Sequence, residues 1–513
     1  MISKTASPMR AYVETYGCQM NISDGELMQG ILASEGYLLV SSPEEADVIL
    51  VNTCAIREHA ERRVLGRVSQ LNGLRKERPD LVLGVTGCMA QRMGTSLLEQ
   101  APYVDLVLGP DGYRGLGDRL REVRSGGGGE GTSSLLETPG QGAPNGAARV
   151  AAGAGVHVRP VPKSAPGRPP LLPVSRNRVQ LAVLELDPRE NYEGLEQRRA
   201  SGVAAWVPIQ RGCDHRCTYC IVPYVRGPEK NRDRDEILRE IRQLAEEGVT
   251  EVTLLGQTVN SWVHDAVRFP QLLREVARVD GIQRVRFTSP HPNDVTPELV
   301  EVMATEAAVC EHLHLPVQSG NDRILRRMVR RYDVASYLEK VEWIRSAIPD
   351  IALSTDVIVA FPGETDAEFE DTLDLMRTVR FDEAYTYRYS PREGTPATRL
   401  PPEEAVPDAL AQARLERLIE LARGIQLEIN LSEIGRIETV LVEKEARDPG
   451  SLMGRTRRNK GVVFPFDGAW SPGDRFRVEL TATTGPTFRG HALGVTQTEG
   501  RDPREPSVGG VRA

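Results

Sequence analysis

No stretch of this 513-residue chain approaches the roughly eighteen consecutive apolar residues that a membrane-spanning helix needs. Its opening run, Met1 to Arg10, lacks the apolar core of a secretory signal. The expectation is a cytoplasmic protein with no membrane partner. Cysteine is sparse and odd in number, seven in all, which excludes a dense secreted disulfide framework and suits a reducing compartment. A basic excess is also missing: the formal net charge is −8, so any nucleic-acid surface must be local. Aromatic residues are absent between Tyr113 and Tyr192. There Ser125 to Arg176 is rich in Gly, Pro and Ala, cannot bury enough apolar area to offset its ordering entropy, and reads as a flexible insertion. Its glycines are not followed by Gly-Lys-Ser/Thr, which argues against a phosphate loop.

What is present divides into two to four domains' worth of chain. In the first 120 residues, short apolar runs at Ala11–Thr15, Val48–Asn52 and Leu81–Thr86 alternate with helical stretches at Ser23–Glu35 and Ala60–Leu71. This pattern predicts an α/β unit, a doubly wound parallel sheet. Each strand runs into a cysteine: Cys18, Cys54 and Cys88. Ligands of open parallel sheets sit beyond the carboxyl ends of the strands, so three residues distant in sequence can meet there. From about 206 to 432, strands at Val252–Leu255, Val285–Thr288, Leu313–Val317, Ala352–Val359 and Ala384–Tyr389 alternate with amphipathic stretches such as Arg234–Glu247 and Ala367–Thr378. They predict a full or partial (β/α) barrel with its site at the carboxyl ends of the strands. From about 436 to 495, short β runs punctuated by Gly, Pro and Asp predict a small antiparallel β-barrel. Between Arg436 and Ala492, ten Lys/Arg stand against seven Asp/Glu. Arg455, Arg457, Arg458 and Lys460 fall in one expected loop, which is either a solvated surface or a phosphate-binding patch.

The most informative motif is Arg-Gly-Cys-Asp-His-Arg-Cys-Thr-Tyr-Cys, which places Cys213, Cys217 and Cys220 at C-x3-C-x2-C spacing. Three thiolates on one short loop suit a metal site with one open position: an iron–sulfur cluster with one exposed iron, or a partial zinc site. The spacing resembles the signature of the radical S-adenosylmethionine (SAM) enzymes. Further runs are Thr-Tyr-Gly-Cys-Gln-Met-Asn at 15–21, Asn-Thr-Cys-Ala-Ile-Arg-Glu at 52–58, Gly-Cys-Met-Ala-Gln-Arg at 87–92, Leu-Leu-Gly-Gln-Thr-Val-Asn at 254–260 and Tyr-Ser-Pro-Arg-Glu-Gly-Thr-Pro at 389–396. With them the chain resembles the radical SAM methylthiotransferases, and among these the members that act on N6-isopentenyladenosine beside the tRNA anticodon. The long insertion and Pro228-Glu-Lys-Asn231 depart from the family's usual pattern.

The resemblance implies a methylthiotransferase N-terminal domain at 9–123, an insertion or linker at 124–198, a radical SAM core at 199–433, an RNA-binding TRAM barrel at 434–498 and a disordered tail at 499–513. It implies two 4Fe–4S clusters: an auxiliary one on Cys18, Cys54 and Cys88, and the SAM-cleaving one on Cys213, Cys217 and Cys220. It places Gln318, Ser319, Gly363 and Glu364 around SAM, with tRNA as substrate, an external electron donor and a monomeric chain. Arg388 and Arg392 suit either a SAM carboxylate or a tRNA phosphate. Buried cysteine is common core material, so Cys310 reads as packing. His215, between two ligands, is a weak ligand candidate, and His312 and His314 share one strand face. Two rival readings differ in class or substrate. One is a non-catalytic RNA-binding iron–sulfur protein, which requires a broken SAM pocket. The other is a methylthiotransferase acting on N6-threonylcarbamoyladenosine.

Overall fold

The computed structural model describes residues 8–55, 58–125, 157–160, 179–199 and 202–496. Most of the insertion and the tail at 499–513 lie outside the described residues. The chain divides into two compact units.

The first unit is built on a seven-stranded sheet with strands β1 (Arg10–Thr15), β2 (Leu38–Leu39), β3 (Val48–Thr53), β4 (Val82–Gly87), β5 (Leu106–Leu108), β6 (His157–Pro160) and β7 (Val179–Val183). Their order is β2-β1-β3-β4-β5-β7-β6. All pairings are parallel except β6 with β7. Every residue of β3 and β4 is buried, because helices cover both faces of a parallel sheet, and such strands read as near-continuous apolar runs. One face packs Leu27, Leu50 and Leu116, the other Val51, Val85 and Leu97.

One boundary needs correction. The sequence reading places 124–198 in a flexible connection, but Val179–Val183 is a strand of the sheet, registered on β5. Leu181 and Ala182 are fully buried. Beyond it, Tyr192 stacks on Tyr113 with centroids 5.9 Å apart and donates its hydroxyl to the Pro110 carbonyl at 2.9 Å. The polar composition around this five-residue run hid an internal strand.

The second unit holds six parallel strands in two sets of three: β8 (Ala204–Pro208), β9 (Glu251–Leu255) and β10 (Arg284–Phe287), then β11 (His312–His314), β12 (Ala352–Val359) and β13 (Glu383–Arg388). A parallel bridge between Val285 and Val309 joins the sets. Helices wrap the outside over a core that includes Val207, Leu254, Phe269, Leu353 and Phe369, making a partial (β/α) barrel.

The same unit ends in a closed five-stranded barrel of β14 (Ile437–Glu445), β15 (Ser451–Arg455), β16 (Gly461–Pro465), β17 (Arg475–Thr483) and β18 (Thr487–Thr496), filled by Val440, Phe464, Phe476 and Phe488. Closure removes the exposed edges of a small sheet. This module packs on the amino ends of the parallel strands. From β10, Arg284 donates to the carbonyls of Arg455 and Thr439, both at 2.9 Å. Arg286 donates to those of Arg457 and Thr456, both at 2.8 Å.

The expected phosphate patch therefore has a different occupation. Arg458 is buried and forks onto Glu433 at 2.8 and 2.7 Å, with Glu438 at 2.9 Å. Lys460 is buried between Asp382 at 2.7 Å and Asn430 at 2.9 Å. Arg457 pairs with Glu311 at 2.8 Å. Arg455, the last residue of β15 and not a loop residue, pairs with Glu443 at 2.8 Å and keeps 38% of its side chain exposed. Tight turns bring cations to nearby carboxylates as readily as to solvent, and composition cannot tell the two apart. Arg458→Met, which strands Glu433, is expected to destabilise the apo-protein by about 3–5 kcal/mol, read from urea unfolding. The log–log salt slope of tRNA affinity is expected to stay unchanged in the folded variant, whereas each lost phosphate contact would flatten it by about 0.7–0.9.

Candidate metal centres

In the first unit three strand ends present the first cysteine trio. Cys18 caps the helix Gln19–Ser34, Cys54 follows β3, and Cys88 opens the helix Cys88–Met93. Gly17 has φ +126°, and a Cβ there would stand 2.5 Å from Cys54 Cβ. Gly87 has φ +92°, and its Cβ would stand 2.4 Å from Asn52 Oδ1. Both positions need glycine because the backbone is left-handed and the neighbours are close. Asn21 donates to the Thr53 carbonyl at 2.9 Å, and Asn52 donates to the Asn21 carbonyl at 2.7 Å, fixing the Cys18 turn against the end of β3.

The thiols share one electrostatic neighbourhood. A hydrogen bond with Cys54 draws the Cys18 thiol down to about 6, with Arg226 pulling the same way against burial. Burial pushes the Cys88 thiol up, and Arg226 opposes it. Arg226 Nε donates to Cys88 Sγ at 3.2 Å and Nη2 to Asp24 at 2.6 Å. Three cysteines at adjoining strand ends, with a buried cation against Cys88 and no fourth cysteine beside them among the described residues, fit an iron–sulfur cluster with an open iron. Cys310, the remaining cysteine, is buried beside Arg286, and burial pushes its thiol up, as expected of an inert core residue.

Of the stretch bearing the second trio, residues 211–216 and 220–230 belong to the first unit and 217–219 to the second, and each part is anchored within its own unit. In the first, Cys213 is buried and its N–H donates to the Gly227 carbonyl at 3.2 Å. Arg211 covers the Tyr192 ring at 3.4 Å and pairs with Asp111 at 2.9 Å, and Lys230 reaches the same carboxylate at 2.7 Å. In the second, Thr218 donates through N–H and hydroxyl to the carbonyls of Met328 and Arg327 at 3.1 and 2.9 Å. Buried Arg330 donates to Cys217 Sγ at 3.4 Å. Its neighbours Val329 and Arg331 both have left-handed backbone. Cys220 is half-buried. Cys213, Cys217 and Cys220 fall within eight positions of one another in the sequence.

The carboxyl ends of adjacent barrel strands are strained. Ser289, Gln318 and Ala360, after β10, β11 and β12, have φ of +56°, +72° and +59°. Such conformations cost about 1–3 kcal/mol each and concentrate at functional sites. Gln318 bridges to Val357, and Ser319 is fully buried beside it. Gly363 and Glu364 stand at the next strand end, committed to the turn. The Gly363 carbonyl accepts from Arg323 at 2.5 Å. Glu364 accepts from the Ala360 N–H at 2.7 Å and pairs with buried Arg414 at 2.9 Å, while burial pushes its carboxyl up to about 7. Inside the barrel, His314 contacts Ser354 at 3.0 Å and Asp356 at 3.4 Å, and burial keeps His312 neutral. Arg388, at the carboxyl end of β13, lies 3.3 Å from Asp408.

Nothing local in the sequence assigns a role to Asn21, Asp24, Asn52, Arg226 or Arg330. Arg226 follows Cys220 by six positions in plain view, but its partner Asp24 lies 202 residues away.

Known proteins resemble each of these parts. Residues 10–109 match the family model described as uncharacterized protein family UPF0004, 207–376 the radical SAM superfamily, and 431–493 the TRAM domain. A tRNA-2-methylthio-N(6)-dimethylallyladenosine synthase from Carboxydothermus hydrogenoformans is 43% identical over 461 residues, covering 88% of this chain and 92% of that protein. The enzyme of the same name from Moorella thermoacetica is 42% identical over 473 residues, covering 91% and 94%. Among solved structures, the radical SAM methyltransferase TsrM from Kitasatospora setae, with cobalamin and a [4Fe-4S] cluster bound, aligns over 87% of this chain and 80% of its own. The TM-score is 0.52 and the identity 14%, a likeness of fold.

Proposed function

The chain belongs to the tRNA-2-methylthio-N(6)-dimethylallyladenosine synthase family, and from that premise we infer that it replaces the C2 hydrogen of N6-isopentenyladenosine, 3′-adjacent to the anticodon of tRNA, with a methylthio group. The observation that carries this reading is 43% identity over 88% of the chain joined to two separate cysteine trios. Adenine C2–H does not yield to acids or bases at neutral pH, so the chemistry belongs to cofactors that the protein orients. When bound, two 4Fe–4S clusters and SAM supply the radical that removes the hydrogen and the sulfur and methyl that replace it.

The residues have distinct tasks. Cys213, Cys217 and Cys220 would hold the cluster that takes SAM, and Cys18, Cys54 and Cys88 the auxiliary one. Three ligands at each site leave one iron open. Gln318 and Ser319 would line the SAM site, while Gly363 and Glu364 shape its wall through the Ala360 turn. Arg455, the most exposed of the four basic residues, is the one proposed to reach a tRNA phosphate. An external donor supplies electrons, and the chain works as a monomer in the cytoplasm. No helix among the described residues is long and apolar enough to cross a membrane.

Nucleoside mass spectrometry of tRNA from a deletion strain, with and without this gene restored, tests the reading. N6-isopentenyladenosine lacking the methylthio group is expected to accumulate on deletion and to be converted on restoration. Loss of methylthio groups from N6-threonylcarbamoyladenosine instead would move the chain to that substrate. No change in either nucleoside would leave a non-catalytic protein.

A further inference from the structure

Arg226 is 2% exposed, and its three guanidinium nitrogens have three different fates. Nε donates to Cys88 Sγ at 3.2 Å, and Nη2 donates to Asp24 at 2.6 Å. Nη1 is enclosed with no hydrogen-bond partner among the described residues. Buried polar groups are nearly always satisfied, and an exception asks for a missing partner. A buried charged donor left unpaired is costlier still. Asp24, itself buried, orients the guanidinium fork, so one face is held by a carboxylate and the other is turned to sulfur.

We propose that Arg226 is the positioning residue of the first cysteine site, holding the Cys88 sulfur and setting the reduction potential of the cluster there through its N–H···S bond and its charge. The proposal rests on the reading that Cys18, Cys54 and Cys88 hold a cluster. Reduction adds negative charge to the cluster. Hydrogen bonds to its sulfurs and nearby positive charge favour that state, and they are among the levers that spread such potentials over a wide range. A low-dielectric pocket strengthens both effects. Lysine supplies the charge without the planar fork, and glutamine supplies an N–H without the charge.

The test uses the full chain with Cys213, Cys217 and Cys220 replaced by alanine, reconstituted anaerobically, so that one cluster is observed. Iron in this background checks the underlying reading: its absence would sink the cluster assignment before Arg226 is altered. Redox titration followed by electron paramagnetic resonance is then run with Arg226 intact, with Arg226→Gln and with Arg226→Lys. The midpoint is expected to move to more negative potential in Arg226→Gln, by up to a tenfold change in the oxidised-to-reduced ratio, about 59 mV for one electron. Arg226→Lys is expected to fall between. Equal midpoints at full iron content overturn the proposal. If Arg226→Gln holds no iron, the chain with Arg226 intact and nitrogen-15 arginine decides. A weak nitrogen coupling to the reduced cluster in pulsed resonance is expected, and its absence overturns the proposal.

Discussion

Replacing Cys213, Cys217 and Cys220 together by alanine is expected to abolish cleavage of SAM and all methylthio product, while about four of about eight irons per chain remain. The mirror experiment, with Cys18, Cys54 and Cys88 replaced, is expected to retain about four irons and cleavage to 5′-deoxyadenosine while forming no methylthio product. The asymmetry follows from the placement of the ligands. The first trio hangs on the ends of β1, β3 and β4 in the first unit's own sheet. Cys217, with Thr218 and Tyr219, is anchored in the second unit beside Arg330 and the 327–328 carbonyls. The ligands of the two sets come from different stretches of chain, 18, 54 and 88 against 213–220, so replacing the thiols of one set is expected to leave those of the other in place. Iron and sulfide analysis of both variants, with chromatography of SAM products, checks this. Loss of all iron from either variant would overturn the two-site arrangement.

Asp111→Ala is expected to be among the most destabilising single changes in the chain, because one carboxylate serves two buried cations. Arg211, Asp111 and Lys230 have side chains no more than 3% exposed. Burial and the neighbouring guanidinium push the Lys230 ammonium down, and Asp111 pulls it back up. Removing the carboxylate takes from two buried cations their shared ion-pair partner inside the first unit, and breaking one buried pair already costs about 3–5 kcal/mol. The same contacts tether the stretches that carry Cys213, Cys220 and Arg226, so the variant should also hold less iron after reconstitution. Urea unfolding of the apo-protein and iron content of the reconstituted protein measure the two effects. Asp111→Asn, which keeps the shape and loses the charge, is expected to fall between. An unfolding midpoint equal to that of the unaltered chain would show that the triad contributes no net stability.

Much of this was legible in the sequence because the signals were local. Fully buried parallel strands such as Val48–Thr53 announce themselves as apolar runs, and a loop with three cysteines at fixed spacing needs no tertiary information. The illegible parts depended on distance. Val179–Val183 follows a long Gly-, Pro- and Ala-rich stretch and is flanked by charged residues, and its partner β5 is about seventy residues away along the chain. Arg458 and Lys460 read as a free basic loop, since nothing nearby in sequence announces Glu433 or Asp382 as partners. The reverse held for Glu364, whose position after a strand suggested ligand contact while its actual neighbour, Arg414, comes from a helix fifty residues on.

The arginines of β10 bear on whether the C-terminal TRAM module can be exchanged. Arg284 and Arg286 donate to carbonyls of the C-terminal barrel, and main-chain acceptors persist whatever side chains a substitute module carries. A graft from a related enzyme would therefore find these donors if it kept the backbone path at 439 and at 455–457, even with unrelated outward-facing side chains. Simple truncation before Ile437 is another matter, because it would strip both guanidinium groups of these acceptors. In this enzyme the C-terminal barrel can be re-tailored but not left off.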